Sequence, residues 1–413
     1  MFLAVRDDGG VPIVYVRGAT NMGDGVRNEF SASSFPRLIL ILASVSLVVL
    51  SFAFLGSTVE ASPPGGWWVP GSVEIRAAIE GERESRQQTV RGFYLPASFV
   101  GDEARMEHYL EMLDQTELNA VVIDIKDDRG WLTYDSDLPR PREYDAVNPK
   151  MGDLADLADM LRERDIYAIG RLVVFKDDRL GMARPDLAIV DSAGNPWRDR
   201  TGAHWMDPYS REVWDYNLAV AEEVIEKGFP EVQLDYVRFP TDGNVRSAEY
   251  RSFDEDIPRS RIIANFMKEF HWRVFSAAGR SSVDVFGLIP TTTDDMNMGQ
   301  QWEEVVEFVD YVSPMVYPSH YGPNIYGLPV PNEAPYETVW HTMRDGLRRM
   351  KPGDASIRPW LQDFSWGFRY GSGEVRAQIE ASEDHDVGNW LLWNPGGVYT
   401  WDALRPPGEE DRD

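Results

Sequence analysis

Beyond residue 89, short apolar runs alternate along the chain with longer stretches in which apolar residues recur every third or fourth position. The short runs predict strands, the longer ones predict amphipathic helices, and their alternation predicts βα units around a parallel sheet. Strands are expected at 90–99, 120–126, 167–175, 231–240, 283–290, 311–317, 357–364 and 390–393. Helices are expected at 102–116, 151–163, 211–227, 258–278, 302–309, 335–350 and 373–383. Eight strands with seven helices between them, over about 310 residues, fit a (β/α)8 TIM barrel. An open doubly wound sheet is the alternative. Its dinucleotide-binding form wants a glycine-rich turn after the first strand, and here that turn reads YLPASFVGD.

The fourth strand, EVQLDYVRFP, sets Val232 and Leu234 on one face and Gln233 and Asp235 on the other, and Pro240 closes it. Apolar outside and polar inside, with charge at the far end, is the pattern of a barrel strand whose interior opens into a site. Asp235 is therefore the first catalytic candidate, with a helix cap or an ion pair to Arg238 as the structural reading. In the second strand, parity turns Val121, Ile123 and Ile125 outward and Asp124 and Lys126 inward; in the third it turns Arg171 inward. Two carboxylates flanking a bond are the machinery of most glycoside hydrolysis. Asp124 is the better-placed partner for Asp235 by parity, unless it is held by Lys126 or Arg171. Asp363 ranks third, because an inward Gln362 turns it toward the helices unless the strand has ended. Asp294 and Asp295 follow as loop acids.

Aromatic residues gather at the same end. Trp131, Trp197, Trp205, Tyr317, Tyr321, Trp366, Trp393 and Trp401 fall at or beyond strand ends, where rings stack on sugar faces. The substrate-binding candidates are Lys126, Arg171, Asp207, Tyr236, Arg238, Tyr317, Trp360, Gln362, Trp393 and Asn394. Gly396-Gly397 after the last strand could serve a phosphate, but a plain turn is the simpler reading of one glycine pair.

The segment LILILASVSLVVLSFAFLG, residues 38–56, holds 19 residues without a charge, near the roughly 20 that span a bilayer as helix. It is expected to be a transmembrane or signal-anchor helix, with residues 1–37 as a cytoplasmic tail, because Arg6, Arg17, Arg27 and Arg37 precede it. The barrel is then outside the cytoplasm on a single-pass anchor, or secreted if export cleavage falls after Ala61. Either Met1 or Met22 could start the chain. Residues 57–88, with SPPGGWWVPG and ERESRQQ, read as a linker, 89–402 as the barrel, and 403–413 as a disordered acidic tail.

Composition narrows the chemistry. The net charge of −27 argues against nucleic acid as a partner. There is no Cys, which removes thiol nucleophiles and disulfides. The six His residues lack the close spacing of zinc ligands. No cofactor or metal is expected, although loop acids Asp127, Asp128, Asp294 and Asp295 leave metal-dependent hydrolysis as a minor reading.

With these segments in view, the sequence resembles a family of glycoside-hydrolase-like proteins, a domain of unknown function related to the (β/α)8-barrel glycosidases. The matching text is ELNAVVIDIKDDRG, AIGRLVVFKDD, WMDPYSREVWDYNLAVAEEVIEKGFPEVQLDYVRFPTDG, DYVSPMVYPSHY, RPWLQDF and NWLLWNPGGVY, from about Thr89 to Trp401. One departure is Asp207, where the family has Asn before Pro-Tyr. The resemblance implies a barrel acting on a polysaccharide, with Asp235 matching the strand-four nucleophile of several related glycosidases. A non-catalytic carbohydrate-binding or envelope-assembly protein on the same barrel is the alternative, since folds outlive activities.

Overall fold

The structure, a computed structural model, describes residues 2–6, 12–16 and 89–408. Phe2–Arg6 and Pro12–Val16 pair as an antiparallel hairpin, Phe2 opposite Val16, in a unit separate from the barrel. The apolar segment 38–56 lies outside the described residues. Among the described residues, no helix is long and apolar enough to cross a membrane.

The rest is a closed, all-parallel barrel. Its strands are β1 (Arg91–Leu95), β2 (Ala120–Lys126), β3 (Tyr167–Val173), β4 (Glu231–Asp235), β5 (Arg280–Phe286), β6 (Tyr311–Val316), β7 in two pieces (Ser356–Ile357 and Trp360–Gln362) and β8 (Trp390–Trp393). The second piece of β7 bonds both β6 and β8, and β8 bonds β1, which closes the ring. Its outer layer is α1 (Glu103–Gln115), α2 (Leu154–Glu163), α3 (Arg211–Glu226), α4 (Arg259–Ser276), the single turn α5 (Trp302–Val305), α6 (Pro335–Arg349) and α7 (Ser372–Glu383). Every expected strand and helix is present, and the corrections are at the ends. Strand one stops at Leu95 because Pro96 opens a helical turn over Ala97–Val100. The fourth strand stops at Asp235, so Arg238 lies in the following loop. The seventh is interrupted by Arg358-Pro359, since proline has no N–H for the ladder.

Local chemistry explains the helices. α2 buries Leu154, Leu157, Ala158 and Leu161 on one face, and Asp153 caps it by accepting from the N–H groups of Ala155 and Asp156. The larger apolar core lies between strands and helices. A second, smaller one fills the barrel interior with Val90, Tyr94, Ala120, Val122, Ile169, Tyr317, Trp360 and Leu391.

The interior is polar at two levels. At the floor, Glu231 and Arg358, both fully buried, form a two-point ion pair. Ser282 and Tyr167 donate to the same carboxylate at 2.5 and 3.1 Å, and the guanidinium lies 4.4 Å over the Tyr311 ring. Above it, Gln233 donates to Ser313 at 3.1 Å. The second polar level is the mouth.

Candidate active site

Asp235 is the last residue of β4, and Tyr236 after it turns the chain sharply at φ 50°. A non-glycine residue in this region is strained by roughly 1–3 kcal/mol, and such strain gathers at functional sites. The turn brings the Tyr236 N–H onto Asp235 Oδ1 at 2.6 Å. Arg171 on β3 donates to Oδ2 through Nε at 3.1 Å and through Nη2. Its Nη1 reaches Asp124 Oδ1 on β2 at 2.5 Å, and the Tyr94 hydroxyl on β1 donates to the other Asp124 oxygen at 2.6 Å. Four adjacent strands thus contribute one chain, Tyr94, Asp124, Arg171 and Asp235. Burial pushes the Asp124 carboxyl above its ordinary range, while Arg171 opposes that shift.

A further carboxyl points into the mouth from β5. Asp284 is 2% exposed, accepts from Trp360 Nε1 at 2.7 Å, and makes no ion pair among the described residues. Burial first, and then the charge of Asp235, push its pKa well above that of an ordinary carboxyl, against the pull of Arg171. The sequence carried the signal for it: Val283 and Val285 face the helices, so Asp284 between them must face inward. The start of β5 is Arg-Ser-Ser, which hid the strand's true length. Ser281 and Ser282 are fully buried there because Asp310 and Glu231 accept from them.

Asp235 and Asp284 open into one cleft of about 260 Å³, with Arg171 at its base. Its walls are Tyr236, Arg238, Phe286, Met315, Tyr317, His320, Trp360 and Trp393. Trp393 packs against Tyr94 with ring centroids 4.3 Å apart and meets Trp360 edge-on at 5.4 Å. The Arg171 guanidinium lies 5.5 Å over Trp393, so the aromatic wall also fixes the cation.

Of the residues singled out from sequence, the structure brings Asp235, Arg171, Tyr236, Arg238, Tyr317, Trp360 and Trp393 to the cleft. Asp124 stands behind Arg171. The other five lie elsewhere. Lys126 follows a register shift in β2 between Asp124 and Lys126, which reverses its expected direction. It is fully buried against α3, paired with Asp177 at 2.6 Å and donating to Asn217 at 2.8 Å. Asp363 is closed by the backbone N–H and hydroxyl of Thr400 at 2.8 and 2.6 Å. Asp207 caps a loop by accepting from the N–H groups of Tyr209 and Ser252. Gln362 accepts from the Ser319 N–H at 3.1 Å and so supports the loop carrying His320. Asn394 ties a turn, donating to the carbonyls of Asp363 and Val398. Gly396-Gly397 belongs to that turn. A side chain at Gly397, whose φ is 68°, would strike Phe99.

The remaining acids are loop fasteners. Asp127 accepts from the N–H groups of Arg129 and Trp131, and Asp294 and Asp295 from those of Met296 and Asn297. Among the described residues no group of three or more His, Asp or Glu is arranged to hold a metal ion.

Comparison with known proteins agrees with the barrel fold. The fold is that of the PgaB (BpsB) glycoside hydrolase domain from Bordetella bronchiseptica, at TM-score 0.55 and 14% identity over 74% of this chain and 94% of that one. It is also that of alpha-L-fucosidase isoenzyme 2 from Paenibacillus thiaminolyticus, at TM-score 0.51 and 15% identity over 77% and 48%. A hypothetical protein from Ruminiclostridium thermocellum is 35% identical over 47% of this chain and 97% of its own, at TM-score 0.43. No curated protein matches. Residues 92–399, which hold the barrel and all of the acids above, match the family described as "putative glycosyl hydrolase domain", and the chain belongs to that family.

Proposed function

We propose that the protein is a glycoside hydrolase that cleaves a polysaccharide outside the cytoplasm with Asp235 and Asp284 as its two carboxyls. The observation that carries this reading is the contrast between them in one cleft. Asp235 is ion-paired by Arg171, whereas Asp284 makes no ion pair among the described residues and is driven toward its neutral form by burial, against the pull of Arg171. An ion-paired carboxylate beside a carboxyl driven toward its neutral form suits the roles of base and acid. Asp235, as the carboxylate, attacks the anomeric carbon or activates water beside it. Asp284, as the protonated acid, delivers its proton to the departing glycosidic oxygen. Trp360 orients that acid through its indole N–H. Asp124 and Tyr94 are positioning residues, because they act through Arg171.

Location rests on the uncharged segment 38–56 with four arginines before it, which we assign as an uncleaved anchor leaving the barrel outside. Protease added to intact cells should remove the barrel; full protection would refute the assignment.

The enzymatic reading is tested by incubating the protein with envelope and extracellular polysaccharides and measuring released reducing ends. Wild type should release product, and Asp235→Asn and Asp284→Asn should each lower the rate at least about 10²- to 10⁴-fold. Retention of polysaccharide with no release by any form would favour a non-catalytic binding protein instead.

A further inference from the structure

Arg238 stands out among the groups of the cleft. It lines the cavity beside Asp235, and it makes no ion pair among the described residues of a chain whose net charge is −27. Its Nη1 donates to the Phe239 carbonyl at 3.1 Å and to Thr241 Oγ1 at 3.3 Å, leaving Nε and Nη2 without an acceptor among the described residues. The guanidinium is nevertheless held in place, 5.0 Å over the Trp205 ring and 5.2 Å over the Tyr236 ring. A second cation supports it: Lys176 Nζ lies 5.0 Å from the centroid of the same Tyr236 ring. Lys176 is only loosely balanced, at 3.7 Å from Asp128 and 3.9 Å from Asp199. Asp199 in turn is occupied by Thr201, Ala203 and the Trp205 indole. Arg171 is different, since both of its faces are already spent on Asp124 and Asp235.

A positioned guanidinium with an open edge is built to receive an anion, and its fork suits a carboxylate or another oxyanion at two points. Building on the hydrolase reading above, we propose that the sugar unit bound in this cleft carries an anionic substituent, and that Arg238 recognises it. The shared chemistry is one oxyanion on the ring: a uronic carboxylate, a sulfate ester or a phosphate ester. Neutral sugars offer Arg238 only hydroxyl acceptors, which bind a guanidinium less strongly than an oxyanion does, and the cation disfavours amino sugars directly.

The test is a glycan array with neutral, cationic, uronate, sulfated and phosphorylated oligosaccharides, probed with the full chain carrying Asp235→Asn so that bound sugars are not consumed. The retained glycans should be acidic, and which acidic group they share names the anion. Adding Arg238→Gln should weaken that retention about 10- to 100-fold, the range for a hydrogen-bonded charge, with an unchanged thermal midpoint. Arg238→Lys should recover part of it, because charge returns without the fork. Retention of neutral or cationic glycans that is indifferent to Arg238→Gln overturns the anionic substrate and leaves the hydrolase reading standing. Retention of no glycan at all overturns both.

Discussion

The floor and the mouth of this barrel both bury arginine against carboxylates, and they do so with opposite accounting. At the floor one guanidinium meets one carboxylate, Arg358 on Glu231, and Ser282 and Tyr167 fill the remaining acceptor sites. At the mouth one guanidinium, Arg171, serves two carboxylates, and a third, Asp284, lies beside them with only an indole N–H. The floor is balanced in charge, one cation to one anion, which suits a structural pair. Around Arg171 the mouth crowds three carboxyls against a cavity, a costly arrangement that desolvation turns into a raised pKa at Asp284. The difference teaches that an inward charge in a barrel is not by itself a functional signal. What marks the site is the mismatch between charges and partners.

That comparison can be broken at the floor first. Arg358→Met strands a fully buried carboxylate and should cost about 3–5 kcal/mol in a denaturant titration, whereas the double change with Glu231→Gln should return most of it. If the single variant is as stable as wild type, the floor pair is not structural.

At the mouth the sign reverses. Asp284 has a folded pKa raised above its unfolded value, so its contribution is fully present below the unfolded pKa of about 3.9 and is lost as pH rises through the folded pKa. Asp284→Asn removes that loss. The variant should be inactive yet melt at a higher temperature than wild type at pH 7, with the gap closing near pH 4. A variant less stable than wild type at pH 7 would contradict the mouth's description.

The smallest effect belongs to Asp363, which sits at neither place. Asp363→Ala should cost about 1–2 kcal/mol by releasing the N–H and hydroxyl of Thr400, with the rate of product release kept within about threefold, no more than one hydrogen bond's worth. A loss of activity comparable to that of Asp235→Asn would restore Asp363 as a catalyst.

Much of this was legible in the sequence, because strand and helix periods survive in a barrel whose two faces differ so sharply. The polar and apolar alternation of β4 placed Asp235, and parity turned Asp124 and Arg171 inward. Parity failed at Lys126 because one register shift in β2 reverses every direction after it. It was not carried to Asp284, although that residue lies between Val283 and Val285 within the expected strand. The floor pair was out of reach for another reason: its partners lie 127 residues apart, and no local pattern records which charges meet across a barrel. Asp363, Asn394 and Asp207 look alike in sequence and are all fasteners in the fold, because a strand-end polar residue serves a loop as readily as a substrate.

The central claim is that Asp235 and Asp284 share a cleft in which Asp235 is ion-paired by Arg171 and Asp284 is driven toward its neutral form. It is tested most directly by titrating the protein labelled with ¹³C in its aspartate side chains, with Asp284→Asn to assign the signal. The account predicts that the Asp284 carboxyl titrates well above the ordinary carboxylate range. Titration of that signal in the ordinary range, near about 4, would contradict it.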